Sequence, residues 1–218
     1  MTAQSAESIR DAKRKLPAER RGELLAKAVE IGKAEGLSAV VLRRIAAALG
    51  VTPGLVSHYF SSAEQLIAAA FRTAALADLD AARVHVDAAS TATAKMTALM
   101  DYVMDDDSDQ SSALWLDAWS LSRTNPSLAA EAAALTKDWL ACIGAVVRMG
   151  VEAGEFRVTD VDVVARRLLI QIDGLGAQKV IRDVSTDEIK HIAWTLVSSE
   201  LGLVGYQPSV STRSSVST

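Results

Sequence analysis

The sequence predicts an all-α protein of about nine helices, split between a small N-terminal unit and a larger C-terminal one. Three observations carry that expectation. Apolar residues recur three and four positions apart along most of the chain, and no segment shows the strict alternation of a half-buried strand. Alanine is abundant while only 5% of residues are aromatic, a composition suited to closely packed helices. Only 4 prolines and 12 glycines interrupt the 218 residues, which fits long helices joined by short links.

In chain order, RGELLAKAVEIGKAEG places Leu24, Leu25, Ala28 and Ile31 on one stripe and ends at Gly36. VLRRIAAALG sets Leu42, Ile45, Ala46 and Leu49 at core spacing. Its small residues Ala46 to Ala48 suit a close helix crossing, and Gly50 suits a left-handed stop. In VTPGLVSHYF, Thr52 is a cap and Pro53 fits a first turn, so a helix of barely two turns spans 53–59. Ser61 with Glu64, or Ser62 with Gln65, forms the capping box of the next helix. That helix, QLIAAAFRTAALADLDAARVHV, runs into the low eighties and leads from the small unit into the large one. One helix then covers roughly Thr91 to Met104, and SALWLDAWSLSR follows a solvated acidic turn, DDDSDQ. Asn125 and Pro126 open a long helix to about Ala153. Thr159 with Asp162 resembles a cap for VDVVARRLLIQIDGLGAQKVI, and Ser185 with Glu188 caps DEIKHIAWTLVSSELGL. The expected division is a basic arm (1–18), a small unit (19–62), a large unit (63–204) whose first part (63–82) is the connecting helix, and a disordered Ser/Thr-rich tail (205–218).

The lone Cys142 excludes an internal disulfide framework and, by itself, a zinc site. The N-terminus lacks the apolar run of a secretory signal, and no stretch approaches the roughly 20 apolar residues of a membrane span. A cytoplasmic protein without membrane contact is expected. There is no Gly-rich phosphate loop, HExxH, nucleophile elbow or Cys/His cluster, so no enzyme, cofactor or metal is expected. Asp105, Asp107 and Asp109 match the opening of a calcium loop, but Gln110 and Leu116 stand where it needs Gly and an acid. Net charge is −4, unevenly spread. Residues 1–60 hold 10 Lys+Arg against 6 Asp+Glu, and the remainder holds 13 against 21. Such asymmetry suits an N-terminal part that meets an anion, or a basic tail with no partner.

A helix at 41–49, a tight turn at Gly50–Val51 and a short helix at 53–59 make a helix-turn-helix. Val56 and Phe60, four apart, point inward. Gly54, Leu55 and His58 lie on the opposite arc, flanked by Ser57 and Tyr59. A probe of that length crosses a major groove with its first residues at base edges. Thr52, Ser57 and Tyr59 can hydrogen-bond phosphates, Leu55 can pack on a thymine methyl, and the helix start at Pro53 and Gly54 attracts an anion. One of Arg43 and Arg44 is expected to face a phosphate, and Lys13, Arg14, Lys15, Arg20 and Arg21 form the basic arm. The alternatives are a surface αα corner without a ligand, or a small-molecule-binding helical protein or interaction module that acts without DNA.

The run LLAKAVEIGKAEGLSAVVLRRIAAALGVTPGLVSHYFSSAEQLIAAAF resembles the DNA-binding domain of TetR-type regulators over residues 19–71, above all in IAAALGVTPG, HYF and the capped EQL start. GLVSHYF, and more loosely LWLDAW, NPSLAAE and IDGLGAQ, resemble the BetI-like subgroup. The resemblance implies a homodimer that binds a palindromic operator in double-stranded DNA and is released by a small-molecule effector. There are departures. Ala63 stands where the family commonly has a phosphate-contacting lysine, Ser57 where many members have tyrosine, Gly32 for a usual aromatic, and Val41 for a usual Thr cap.

In the large unit, Trp115 and Trp119 share a helical face, with Asp117 on another side. That spacing fits core, or one wall of an aromatic cage for the quaternary ammonium ligand the subgroup resemblance suggests. Met96, Met100, Met104 and Met149 fit core or an adaptable cavity, and His85 a pocket mouth. Gln171 and Asp173 interrupt an apolar helix and need a partner: ligand, cap or second subunit. Leu168, Ile172 and Leu175, with Ile189, Ile192, Ala193, Leu196 and Val197, give the last two helices wide apolar faces that could pair across a two-fold axis as a four-helix bundle.

Overall fold

Nine α-helices and two 3-10 turns, with no strand, make up the described residues of the computed structural model, 16–182 and 184–203. Lys13, Arg14, Lys15 and the tail at 205–218 lie outside them. Helix α1 (Pro17–Glu35) starts on Pro17 and buries Leu24, Ala28 and Ile31. Gly36, at φ 88°, ends it and leads into a 3-10 turn, Leu37–Ala39. Helix α2 (Leu42–Leu49) has no side-chain cap at Val41 and stops at Gly50, φ 64°. There Val51 N–H donates to Ala46 O at 2.9 Å and Gly50 N–H to Ala47 O at 3.2 Å, a Schellman closure that swings the chain sharply into the next helix. Of the three alanines expected at a crossing, only Ala46 is buried; Ala47 and Ala48 face solvent.

Helix α3 (Pro53–Tyr59) begins at a Thr52 cap and ends at Phe60. Ser62, rather than Ser61, caps α4 (Ala63–Asp87) by accepting from Gln65 N–H at 3.2 Å. With 25 residues, α4 spans about 37 Å, a turn or more beyond the low eighties expected from the sequence. Helices α5 (Ala92–Val103), α6 (Asp109–Ser122) and α7 (Pro126–Glu152) follow. Thr91 caps α5. Asn125 caps α7 through Leu128 N–H at 3.0 Å and also donates to Glu64 O at 3.2 Å, tying the starts of α7 and α4 together. Helix α8 (Val161–Arg182) corrects one expectation. Its cap is Asp160, which accepts from Val163 N–H at 3.0 Å, so the carboxylate one position on displaces Thr159. Ser185 caps α9 (Thr186–Leu201), as its spacing predicts.

Three apolar clusters organise these helices. The first joins α1–α3 to the start of α4 through Leu24, Ala28, Ile45, Val56, Phe60 and Leu66. The largest fills the C-terminal bundle and includes Leu79, Met96, Leu99, Trp139, Ile143 and Trp194. Between them runs a seam. Leu37 of the small unit packs with Phe71 of α4, Leu114 and Ala118 of α6, and Leu128 and Leu135 of α7. Gly32 permits this closeness: a Cβ there would lie 3.3 Å from Leu37 Cδ2 and 3.4 Å from Val40 Cγ2. These side chains fill the space left by the aromatic that the resemblance leads one to expect.

The acidic turn before α6 is more than a solvated cap. Buried Lys179 of α8 reaches it, donating to the Asp105 carbonyl and to Met104 O at 3.4 Å, with Asp109 at 2.8 Å and Asp106 at 3.8 Å. Lys190 of α9 lies 3.4 Å from Asp105. Two cations thus fix the α5–α6 link to the last helical pair.

The expected dimer face needs correction too. Leu168, Leu175 and Ile189 are buried in this chain's own core, and Ile172 packs against that core from within. Of the six residues expected at the interface, only Ile192 and Leu196 are exposed. The apolar side chains that α8 leaves in solvent are Val163, Ile170 and Ile181, with Gly174 on the same stripe. A wide apolar helix has two arcs, and on α8 the arc through Leu168, Ile172 and Leu175 is turned inward.

Candidate functional site

Two sites emerge at opposite ends of α4. The first is α3. Val56 and Phe60, 0% and 2% exposed, hold it down. Thr52, Pro53, Gly54, Ser57 and His58 are exposed, with Leu55 and Tyr59 half-buried beside them. Thr52 Oγ1 accepts from Leu55 N–H at 3.3 Å, and, since Pro53 has no N–H, Gly54 N–H is the remaining first-turn donor that can meet an anion. Ser57 Oγ donates to Pro53 O at 3.1 Å, and the His58 and Tyr59 rings meet edge-on at 5.2 Å. Arg44 is turned back onto Glu35 of α1 in an ion pair, whereas Arg43 is exposed. Of the basic-arm residues, Arg20 pairs with Glu23 at 2.8 Å, and the Arg21 guanidinium stacks 5.0 Å over the Phe60 ring at the end of α3. The exposed surface is polar and cationic, as a groove probe requires.

The second site is a cavity among α4 to α8, open at one side, with about 630 Å³ of space including the solvent at its mouth. Three tryptophans line it: Trp115 and Trp119 of α6, and Trp139 of α7. The first two have ring centroids 5.9 Å apart at 42°, and Trp115 is steadied from behind by an edge-on Phe71 at 5.0 Å. Tyr102 of α5 adds a fourth ring. Its hydroxyl donates to Asp78 of α4 at 2.8 Å, and Ser111 donates to the other oxygen of Asp78 at 2.7 Å. Asp173 of α8 also lines the cavity and has no cation or donor beside it among the described residues. Burial pushes its carboxyl up to about 6. Aromatic faces and an uncompensated carboxylate around an apolar space suit a small organic cation, which gains from ring quadrupoles and from charge in a site partly stripped of water.

The structure thus brings Trp115, Trp119 and Asp173 to one cavity, as well as Ile172, which had been placed at the dimer face. The other expected ligand residues lie elsewhere. Met100 and Met104, 2% and 1% exposed, belong to the core, as does Met96. His85 sits behind the wall: its ring is 4.8 Å from Tyr102, and its Nδ1 meets Ala81 O at 2.8 Å. Gln171 points away from the cavity lining, with its carbonyl oxygen buried and unpaired. Sequence reasoning missed Asp78, Tyr102, Ser111 and Trp139. Only Trp139, a large ring in an Ala-rich helix, carried a local signal. Among the described residues no group of three His, Cys, Asp or Glu could hold a metal, and no helix is long and apolar enough to cross a membrane.

Comparison with known proteins assigns both ends of the molecule. Residues 24–70 match the family model for bacterial regulatory proteins of the tetR family, and residues 92–202 match that for the C-terminal domain of BetI-type transcriptional repressors. The HTH-type transcriptional regulator BetI of Cronobacter sakazakii (strain ATCC BAA-894) is 34% identical over 97 residues. That match covers 43% of this chain and 48%, about half, of the relative's length. Among solved structures, a TetR transcription regulator from Haloarcula marismortui ATCC 43049 superposes with a TM-score of 0.71 at 21% identity, covering 85% of this chain and 97% of the other. A Saccharomonospora viridis protein, described as a transcriptional regulator and crystallised in complex with choline, superposes with a TM-score of 0.74 at 24% identity, covering 83% and 96%. At such identities the structures speak for the fold, and the two family models speak for descent: the chain belongs to the TetR family of bacterial regulatory proteins, with the C-terminal domain of its BetI-type repressors.

Proposed function

We propose that this protein is a cytoplasmic homodimeric repressor that binds a palindromic operator through α3 and leaves it when a small organic cation fills the α4–α8 cavity. In this scheme residues 19–62 read DNA, 63–82 connect, and 63–204 bind effector and partner. The observation that carries the DNA assignment is α3 itself: seven residues capped by Thr52, anchored by two buried side chains, with its polar start in solvent. Arg43 and Arg21 supply cations beside it, and Ser57, His58 and Tyr59 supply the polar contacts. The Saccharomonospora viridis neighbour holds choline, and the four rings with Asp78 and Asp173 give this chain the chemistry for a cation of that kind. The exposed stripe of Ile170, Gly174, Ile192 and Leu196 is the surface for the partner copy. Two copies would present α3 about 34–36 Å apart, one turn of DNA.

The test is fluorescence anisotropy on the intergenic DNA beside the protein's own gene. If six to ten phosphates are neutralised, affinity should fall about 10³- to 10⁵-fold between ~50 and ~200 mM salt. Ser57→Ala and Tyr59→Ala should weaken binding without changing the fold. Choline should lower operator affinity, and operator should lower choline affinity by the same factor. Salt-insensitive binding, or equal affinity for unrelated DNA, would sink the operator assignment.

A further inference from the structure

One hydrogen bond crosses the seam between the reading unit and the cavity. Leu37 N–H, at the start of the 3-10 turn that links α1 to α2, donates to Asp117 Oδ2 of α6 at 2.7 Å. The same helix supplies Ser111, Ser112, Trp115 and Trp119 to the cavity. Its faces are therefore divided: 111, 115 and 119 form a stripe toward the effector, while Leu114, Asp117 and Ala118 lie against the small unit. Leu114 and Ala118 pack with buried Leu37, and Leu114 Cδ1 stands 4.0 Å from where a Gly32 Cβ would be. Gly36 completes the joint. Its φ of +88° favours glycine, and an added Cβ would come 2.7 Å from Asp117 Oδ2.

Granting the repressor assignment on which this rests, we propose that Asp117 is a positioning residue: it couples the Trp115–Trp119 wall to the DNA-reading unit by holding the backbone at Leu37. The warrant is mechanical. A cation bound against the Trp115 and Trp119 rings bears on the helix that carries Asp117, two residues from each ring. A helix moves as a body, so Asp117 must carry Leu37 with it or release it. Either event changes the link from which α2, and through the Gly50 turn α3, departs. Helix α4 offers a route through its own length, but it reaches the small unit by apolar packing at Leu66 and Ala70. The Asp117 contact is directional, and one substitution removes it.

The protein carries its own reporter. All four tryptophans, at 115, 119, 139 and 194, lie in the C-terminal part. Operator DNA bound at α3 should therefore alter acrylamide quenching of tryptophan fluorescence only by transmission. Wild type, Asp117→Ala, Asp117→Asn and Gly36→Ala would be compared, with anisotropy recording DNA binding and circular dichroism the fold. In wild type, operator binding should change the quenching constant measurably, and saturating choline should weaken operator binding at least tenfold. Asp117→Ala should still bind operator, but at least threefold more weakly than wild type, lose most of the quenching response, and show less than a threefold choline effect. Asp117→Asn, which keeps an acceptor of the same size, should behave as wild type. Gly36→Ala should resemble Asp117→Ala. Asp117→Ser, too short to reach Leu37, replaces Asp117→Ala should that variant fail to fold. A quenching response equal to wild type in the Ala or Ser variant overturns the proposal while leaving the repressor assignment intact, as does a wild type that binds operator with no tryptophan response. Absence of operator binding in wild type overturns both, and anisotropy alone reveals that case.

Discussion

Replacing Asp173 with Asn should make the free protein more stable and its effector complex weaker. Asp173 lines an apolar cavity with no partner among the described residues, and burial raises its carboxyl from 3.8 to about 6. At about 1.4 kcal/mol per unit that displacement corresponds to roughly 3 kcal/mol. The carboxylate keeps some contact with water in the cavity, which reduces the usable figure to about 1–2 kcal/mol. The sign follows from proton counting. Between pH ~4 and ~6 the folded state holds the Asp173 proton more tightly than the unfolded chain, so this residue's contribution to stability falls as pH rises through that window and stays low above it. Asparagine carries no charge and escapes the penalty. For a chain of this size, 1–2 kcal/mol moves Tm by about 2–8 °C.

Thermal melts at pH 7.5 and pH 5.0, followed by circular dichroism, would read the effect. Asp173→Asn should melt higher than wild type at pH 7.5, with the gap closing toward pH 5. Isothermal titration with choline would read the other side. The wild-type affinity should fall about tenfold from pH 7.5 to 5 as the carboxyl takes up its proton, and Asp173→Asn should bind at least tenfold more weakly at pH 7.5, about 1.4 kcal/mol. A variant with unchanged Tm at pH 7.5 would refute the claim that the carboxylate is strained in the empty cavity. A variant with unchanged choline affinity would refute its role as counter-charge. The expected pairing of stability gained and function lost is the usual signature of a binding group held in an unfavourable place.

Other outcomes follow from particular contacts. Arg43→Ala should reduce the salt slope of operator binding by about one per protomer, whereas Arg44→Ala, which breaks the pair with Glu35, should change it less; salt-dependent anisotropy distinguishes them. Gly150→Ala should lower Tm, because a Cβ there would lie 2.0 Å from Phe156 Cδ2 in the core. The overpacking cost is about 1–3 kcal/mol. Ile192→Glu with Leu196→Glu should give a folded monomer by analytical ultracentrifugation, while Leu168→Glu should give an unfolded chain, since Leu168 is 0% exposed.

What the sequence made legible is what local chemistry decides. Caps at Thr52, Asn125 and Ser185 act within three residues, so spacing alone locates them. Thr159 misled because Asp160, a stronger acceptor, competes one position later. The reading helix was legible for the same reason: cap, proline and two buried anchors lie within nine residues. The cavity was not. Asp78 and Tyr102 are 24 residues apart on separate helices, and nothing in either neighbourhood announces the 2.8 Å bond between them. Methionines at helical spacing fit core and pocket equally, and only the packing of α5 against α4 and α7 sent Met100 inward. The same ground decides which apolar residues of α8 can meet a partner. Both Leu168 and Ile170 are apolar, and neighbours, not periodicity, decide which is buried.

The energetics of release set a condition on any route between the sites. Shifting a dimer from 99% operator-competent to 1% takes about 5.5 kcal/mol of differential effector binding. A hydrogen bond to a charged acceptor is worth ~1.5–3 kcal/mol. In the proposed dimer the Asp117–Leu37 contact occurs twice, so its presence in one state and loss in the other amounts to about 3–6 kcal/mol. That is the right size for a switch, whereas apolar packing at Leu66 and Ala70 changes little when α4 slides, because it is non-directional. Directionality is what a polar group at a domain seam adds. It gives the joint two distinct states, made and broken, where packing alone would give a continuum. Such bistability is what turns a small shift of two tryptophan rings into a displaced reading helix.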